Sequence, residues 1–135
     1  MSQKHSPRIR TDWQALADEL SFETGAFIDG EVVAAASGDT FESRNPATGE
    51  LLGQVASCTE ADAERAVIVA RDAFQRGEWS RLAPGKRKRT LLQLADLMEA
   101  NKHELALIDT LDMGKPISSS LSDMAGAIAC IRYQA

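Results

Sequence analysis

The sequence predicts an α/β fold in which two β-hairpins are followed by about four α-helices. Two turn sequences, Asp29-Gly30 and the run from Asn45 to Glu50, each separate short segments that favour strands. From Thr59 onward the apolar residues recur every three or four positions, which is the period of a helix. The order of these signals places both hairpins before the main helices.

The first hairpin is predicted from Phe27 to Val33. Phe27-Ile28 and Glu31 to Val33 are the strand segments, and Asp29-Gly30 lies between them. A type I′ turn needs positive φ at both central residues, which Asp-Gly tolerates. We therefore expect a tight two-residue turn here.

The second hairpin is predicted from a strand at residues 41–44 and another at residues 51–55. Pro46 cannot donate a hydrogen bond to a ladder, and Gly49 tolerates positive φ. The residues between the two strands are therefore expected to turn and not to continue the first strand.

The first long helix is predicted to start after Thr59 and to end at Gly77. Thr59 and Asp62 have the spacing of a capping box, and a glycine commonly follows the last turn of a helix. One face is predicted to be apolar. It consists of Ala63, Ala66, Val67, Ala70 and Phe74.

Three further helices follow in the sequence. One is expected to begin near Pro84 and to reach Asn101, the next to close at Gly114 and Pro116, and the last to begin near residues 118–120. Their apolar stripes comprise Leu91, Leu94, Ala95 and Met98, then Leu105, Ile108 and Leu111, then Leu121, Met124, Ile128 and Ile131. The last stripe continues to Ala135 without a stop signal, so we expect the natural chain to continue.

The domain organisation follows from these elements. Residues 1–24 are predicted to form an N-terminal helical arm, capped by Asp12 and carrying Trp13 and Leu16 on its apolar face with Ala17 and Leu20. Residues 25–135 are predicted to form one unit, with hairpins at 25–56 and helices at 59–135.

Composition limits the class of protein. The 135 residues are 44% hydrophobic and 26% charged, which fits one globular domain or a piece of a larger one. The net charge of -5 and the pI near 5.0 disfavour nucleic-acid binding. No apolar run approaches the roughly 20 residues that a membrane span requires, and the start MSQKHSPRIR lacks the apolar part of a secretory signal. We predict a cytoplasmic protein with no nucleic-acid or membrane partner.

Few residues suggest chemistry. Cys58 and Cys130 match no disulfide or metal-ligand spacing, and His5 and His103 have no metal partner at a useful distance in sequence. The basic run Lys86–Arg89 is either a patch for an acidic partner or the solvated face of a helix. The acidic surroundings favour the second interpretation.

Asp112 is the carboxylate with the most specific position. It lies near a predicted helix end, where main-chain carbonyl oxygens lack partners. Oxygen ligands of this kind suit a hard cation. An aspartate at a helix end also commonly makes local backbone hydrogen bonds, so both interpretations stay open at this point.

Several segments, taken in order, resemble the N-terminal portion of an aldehyde dehydrogenase. They are FIDGE at 27–31, TFESRNPATGELLGQV at 40–55, ADAERAVIVARDAF at 61–74 with Trp79-Ser80, and LDMGKPI at 111–117. The stretches RGEWS at 76–80, PGKRK at 84–88 and LADLMEANKHELALIDTLDMGKPI at 94–117 are similar to the branch that oxidises γ-glutamyl-γ-aminobutyraldehyde in putrescine breakdown. The resemblance covers Phe27 to Ala135.

This resemblance implies oxidation of an aldehyde to an acid with NAD or NADP. A thiolate attacks the carbonyl, an oxyanion hole holds the resulting oxygen, hydride passes to nicotinamide, and a carboxylate activates water. In the family these groups and the main cofactor-binding segments come later in the chain. We therefore assign no catalytic or cofactor-binding residue here, interpret 25–135 as an incomplete N-terminal part of the NAD(P)-binding domain, and expect these residues alone to be inactive.

The resemblance also implies a structural monovalent cation, K+ or Na+, and a homodimer or homotetramer when the enzyme is full length. The cation ligands carried over are the main-chain oxygens of Ser43 and Arg44 together with Asp112. The alternative function is a non-catalytic helical interaction module that uses the Trp13 helix or the last helix as its contact surface.

Overall fold

A computed structural model of the chain describes residues 11–135. The predicted α/β class, with two hairpins ahead of four long helices, is confirmed. The elements in chain order are α1 (Trp13–Glu19), β1 (Ala26–Ile28), β2 (Glu31–Val33), β3 (Thr40–Arg44), β4 (Leu51–Ala56), α2 (Glu60–Arg76), α3 (Pro84–Ala100), α4 (Lys102–Met113) and α5 (Ile117–Gln134). The start of the predicted arm, residues 1–10 with His5, lies outside the described residues.

The two hairpins form two separate antiparallel sheets. In the first, Ala26 pairs with Val33 and Ile28 with Glu31. The turn residues Asp29 and Gly30 have φ values of 59° and 82°, as the type I′ prediction required. In the second sheet, Thr40 pairs with Ala56 at the open end of the hairpin.

The start of α2 is anchored by one buried carboxylate. Asp62 Oδ2 accepts hydrogen bonds from the backbone N of Thr59 at 2.8 Å and from its Oγ1 at 3.0 Å. Asp62 Oδ1 accepts a third from the backbone N of Ala36 at 2.9 Å. The Thr59 backbone bond, followed by the Ala36 bond, holds the pKa of Asp62 below its usual value. This residue therefore ties the chain after β2 to the helix.

The apolar face predicted for α2 is present but largely uncovered. Val67 is 57% exposed and Phe74 is 70% exposed. The half-buried side chains are Ala66, Val69 and Ala73, on the side of α2 that faces the first hairpin. The difference arises because, among the described elements, the short β1 is the main one packed against α2. The periodicity identifies an apolar face but not what covers it.

The helices α3, α4 and α5 form the only extended core in the described part of the chain. Its buried apolar residues are Ala95, Ala106, Leu107 and Ile128. Ser120 is fully buried, and its Oγ lies 3.0 Å from Oγ1 of Thr110, so the two hydroxyls satisfy each other. Asn101 both follows α3 and precedes α4, which makes the connection between them a single residue.

None of the helices within residues 11–135 combines the length and the apolar character that crossing a bilayer would require.

Replacing Asp62 with Asn should lower the Tm of the chain. The amide has no charge, and one of its two polar atoms is a donor, so it cannot accept all three hydrogen bonds. Thermal unfolding at neutral pH measures the change. Asp72→Asn is the matched control, because Asp72 is an exposed carboxylate on the same helix. Equal Tm values for the two variants would contradict the anchoring role.

The same variant should show a pH signature. A carboxyl whose pKa is lowered in the folded state stabilises it above the unfolded pKa, and this stability is lost as the pH falls through the folded pKa. The Tm difference between wild type and D62N should therefore be constant above about pH 5 and shrink as the pH falls below 3.8, the ordinary value for this group. A difference that stays constant down to pH 2 would contradict this assignment.

Replacing Gly114 with Ala should destabilise the chain more than replacing Gly49 with Ala. The two glycines have nearly equal φ values, 72° and 76°. A Cβ at Gly114 would lie 2.8 Å from Cγ of Pro46, whereas a Cβ at Gly49 would meet nothing within 4 Å. Both variants lose about 1–2 kcal/mol from the left-handed backbone, and overpacking should cost G114A about 1–3 kcal/mol more. Denaturant unfolding measures both, and equal losses would show that Pro46 simply moves aside.

Candidate functional site

The candidate site lies where the second hairpin meets the end of α4. Ser43 Oγ donates a hydrogen bond to Asp112 Oδ1 at 2.8 Å, although the two residues are 69 positions apart in sequence. The structure thus brings together two of the three residues that the sequence analysis assigned to a cation. The contact it shows is made by the Ser43 hydroxyl, whereas the assignment used the main-chain oxygen.

Asp112 is positioned by the way α4 ends. It is the last residue but one of the helix, and the backbone N of Gly114 donates to the carbonyl of Thr110 at 2.9 Å to close it. Gly114 then turns into the left-handed region, and Pro46 of the second hairpin lies against it. The helix end and the hairpin turn therefore pack on each other beside Asp112.

The turn of the second hairpin is held by its own polar groups. Asn45 Oδ1 accepts a hydrogen bond from the backbone N of Ala47 at 2.9 Å, as in an Asx turn. The carbonyl of Asn45 accepts from the backbone N of Gly49 at 2.7 Å, and the backbone N of Asn45 donates to the carbonyl of Glu50 at 2.9 Å. These hydrogen bonds hold Asn-Pro-Ala-Thr-Gly-Glu as a rigid turn, and the turn places Pro46 against Gly114.

A β-bulge lies at the site. Ser43 pairs with Gly53, but Arg44 pairs with Leu51, so Leu52 has no partner in register. A bulge interrupts the regular ladder and re-aims the groups beside it. The bulge therefore lies at the two residues whose main-chain oxygens were assigned to the cation.

The Arg44 side chain has a local structural role. Its Nη2 forms an ion pair with Glu42 Oε2 at 2.6 Å, and its Nη1 donates to the carbonyl of Gly49 at 2.9 Å. These contacts hold the guanidinium along the hairpin. The main-chain oxygen is then the part of Arg44 that the cation hypothesis uses.

A cavity of about 140 Å³ opens at the site. Its apolar walls come from β4, α4 and the segment before β1, and its polar lining residues are Glu23, Thr24, Ser43 and Asp112. The lining residues are Phe22, Glu23, Thr24, Ser43, Leu52, Gly53, Val55, Ile108 and Asp112.

Lys115 is a charged group near the site that the sequence analysis did not single out. Its Nζ forms ion pairs with Asp123 of α5 and with Asp109 of α4, the latter at 3.4 Å. The hydrogen bond to Asp123, with the charge of Asp109 and Asp123, raises the pKa of Lys115. Its position in the sequence could have identified it, because Lys115 belongs to the Gly-Lys-Pro stretch between the end of α4 and the start of α5. Its role is to join these two helices.

The other candidate residues are placed without a chemical partner among the described residues. Cys58 and Cys130 are free and exposed. Of the run Lys86–Arg89, Arg87 is half-buried and donates to the carbonyl of Ser80 at 3.2 Å, and the other three side chains are exposed. Within residues 11–135, no three His, Cys, Asp or Glu side chains come together as a metal site.

The chain is similar to known proteins over most of its length. The family model described as "Aldehyde dehydrogenase family" matches residues 32–135. The NADP/NAD-dependent aldehyde dehydrogenase PuuC of Escherichia coli K12 is 48% identical over 124 residues, which are 91% of this chain and 25% of that protein. This chain thus spans about a quarter of that relative's length.

Two solved structures share the fold. The indole-3-acetaldehyde dehydrogenase AldA of P. syringae, in complex with NAD+ and IAA, is 54% identical with a TM-score of 0.88. The γ-glutamyl-γ-aminobutyraldehyde dehydrogenase of Burkholderia cenocepacia J2315 is 45% identical with the same TM-score. Each match covers 90% of this chain and 25% of the other. Since the family model covers most of the chain, the chain belongs to the aldehyde dehydrogenase family.

Proposed function

We propose that the chain is the N-terminal part of an enzyme that oxidises an aldehyde to the carboxylate with NAD or NADP. The observation that carries this proposal is the family match over residues 32–135. The packing of the Asn-Pro-Ala-Thr-Gly-Glu turn against the Leu-Asp-Met-Gly-Lys-Pro stretch supports it, because these are the two motifs on which the resemblance depended most. The proposed division is an arm at 1–24 and an incomplete cofactor domain at 25–135.

The proposed substrate is γ-glutamyl-γ-aminobutyraldehyde or a related aminoaldehyde, as in putrescine catabolism. The name of the B. cenocepacia relative supports this substrate. The P. syringae relative has a higher identity and a different aldehyde in its name. Identity over this region therefore does not rank the two substrates, and the assay must include both.

In this proposal the described residues act as scaffold and take no part in the chemistry. Between β4 and α2 the chain runs through Ser57, Cys58 and Thr59, without the glycines that let a backbone approach a pyrophosphate. This connection therefore lacks the glycine-rich turn of a dinucleotide site, and we propose no cofactor-binding residue among the described ones. The nucleophile, the base, the oxyanion hole and the cofactor segments are expected in further residues of the enzyme.

We also propose that the candidate site holds a structural monovalent cation, K+ or Na+. The ligands would be the main-chain oxygens of Ser43 and Arg44 together with Asp112. The donor set consists of oxygen atoms, which suits a hard cation, and the bulge at Ser43 and Arg44 interrupts the ladder there. The hydrogen bond between Ser43 and Asp112 supports the proposal by holding the carboxylate beside the strand.

The Asn45 to Glu50 turn then has a defined task. It holds the second hairpin on α4 and so keeps the strand that carries Ser43 and Arg44 beside Asp112.

We further propose a cytoplasmic location, a homodimer or homotetramer for the whole enzyme, and no nucleic-acid or membrane partner.

A non-catalytic interaction module is the second candidate. The observation that favours it is the large exposed fraction of Phe27 and Phe74, 73% and 70%. The intact mass of the natural product separates the two candidates. A mass several times 14.6 kDa supports the dehydrogenase, and a mass of 14.6 kDa supports the module.

The whole enzyme should oxidise γ-glutamyl-γ-aminobutyraldehyde and reduce the nicotinamide cofactor, whereas residues 1–135 alone should not. The absorbance of reduced nicotinamide measures the reaction, with NAD+ and NADP+ in parallel. A faster rate with indole-3-acetaldehyde would replace the proposed substrate but keep the proposed reaction. Oxidation of no aldehyde at all would overturn the proposed function.

Replacing Asp112 with Ala should remove the response of Tm to K+ or Na+. A cation that binds only the folded state raises the Tm of the wild type with concentration, provided its ligands are present. Thermal unfolding is followed in KCl, in NaCl and in tetramethylammonium chloride at equal ionic strength, because the methyl groups of the last cation keep oxygen ligands from coordinating it closely.

Ser43→Ala is the matched control. It should cost about 1 kcal/mol from the lost hydrogen bond and still respond to the cation, since its main-chain oxygen remains. The cation proposal is contradicted if the Tm of D112A responds to K+ or Na+ as the wild type does. It is also contradicted if the wild type has the same Tm in all three salts.

A further inference from the structure

One side of α2 is uncovered within the described part of the chain. A helix advances by about 100° per residue, so Ala63, Val67, Ala70 and Phe74 lie within a sector of about 60° around its axis. All four are exposed, Val67 by 57% and Phe74 by 70%. The half-buried Ala66 lies next to this sector, on the side of the first hairpin. The uncovered sector therefore continues the apolar face that packs on the hairpin.

The uncovered sector borders a groove between α2 and the first hairpin. The groove has a volume of about 300 Å³, and its α2 side includes the small side chains of Ala66, Ala70 and Ala73. Phe27 of β1 lines the hairpin side and is 73% exposed. The only charged lining residue is Asp29, in the turn of the hairpin. We call this groove, together with the four residues of the uncovered sector, the α2 surface.

The chemistry of the α2 surface fits an apolar occupant. Phe27, Val67 and Phe74 are each more than half exposed, and apolar side chains clustered in this way mark a surface that another apolar segment covers. No lysine or arginine lines the groove, so an acidic partner would find no opposite charge there. An apolar segment would instead remove these aromatic side chains from water.

The size of the α2 surface favours a segment of the same polypeptide over a separate protein. An aromatic side chain has about 150–250 Å² of surface, so Phe27 and Phe74 each leave roughly 100–180 Å² uncovered. With Val67 and the alanines, this falls short of the about 800 Å² that each partner of a stable interface buries. A segment joined to the chain needs less area, because its effective concentration is high.

The relatives show that enzymes of this family have such a polypeptide. This chain spans 25% of the P. syringae and B. cenocepacia enzymes, which leaves three-quarters of each outside the matched part. Among the described elements, β1 is the main one packed against α2, so the α2 surface is free to receive a segment from the rest of the enzyme.

We propose that the α2 surface is an internal interface of the enzyme, covered by an apolar segment from the residues that follow position 135 in the same polypeptide. This inference rests on the proposed function, because it needs the longer enzyme. It assigns the exposed Phe27 and Phe74 to a contact within one polypeptide and not to a partner protein.

The test places a photoreactive group on the α2 surface of the whole enzyme. Phe74→p-benzoylphenylalanine keeps an aromatic side chain and forms a covalent cross-link to a contacting group on irradiation. We expect the cross-linked product to keep the mass of a single chain on a denaturing gel. Peptide mapping should join position 74 to residues after 135, and an unchanged Tm shows that the substituted enzyme is folded.

Asp72→p-benzoylphenylalanine is the matched control. Asp72 is exposed on the same helix and lies about 160° around its axis from Phe74, so it should not cross-link to the same residues.

Three outcomes would overturn the inference. The first is a product of twice the single-chain mass, which would identify a second copy as the occupant. The second is a lack of cross-links from position 74 to residues after 135. The third is equal cross-linking of both positions to the same residues. Each of these leaves the proposed function intact, because aldehyde oxidation by the unsubstituted enzyme tests that function separately.

Discussion

The contact between the second hairpin and the end of α4 is the interaction on which the arrangement of this chain depends. A two-stranded hairpin is marginal by itself and needs a surface to pack against. Ser43 bonds to Asp112, Pro46 lies against Gly114, and Leu52 lines a common cavity with Ile108. The contact joins segments 69 positions apart in sequence, so it fixes strands and helices relative to each other. The buried carboxylate of Asp62 does the same for the first hairpin and α2.

These anchors are polar because the apolar surfaces of the hairpins are small. Neither two-stranded sheet has a face wide enough to build a core, and the buried apolar residues gather mainly in α3, α4 and α5. Phe27, Phe41 and Phe74 are all more than half exposed. Apolar side chains in such numbers usually mark contact surfaces. The hairpins and α2 are thus held to the helical core by few directional bonds, while their apolar sides remain available.

The sequence predicted the elements well because their signals are local. Asp29-Gly30, Pro46 with Gly49, the Thr59 and Asp62 pair, and Gly114 each act within a few residues, and each marks the turn or helix end that was expected. The bond from Asp62 to Ala36 and the contact of Trp13 with His103 could not be predicted, since they join residues 26 or more positions apart. The Ser43 and Asp112 pairing came from the family resemblance and not from periodicity. Likewise, the stripe of α2 could be recognised, but its exposure could not, because exposure depends on what packs there.

The hydrogen bond that Asp112 makes is not the local backbone bond that one interpretation expected, because its donor is the Ser43 hydroxyl, 69 positions away in sequence. An ionised carboxylate has about four acceptor positions, and the Ser43 hydroxyl occupies one of them. The remaining positions are the ones that the proposed cation would use. The hydrogen bond orients the carboxylate, and the bulge at Ser43 and Arg44 breaks the ladder beside it. The Ser43 hydrogen bond and the proposed cation site therefore both use Asp112 beside β3, and the turn from Asn45 to Glu50 holds that hairpin in its place.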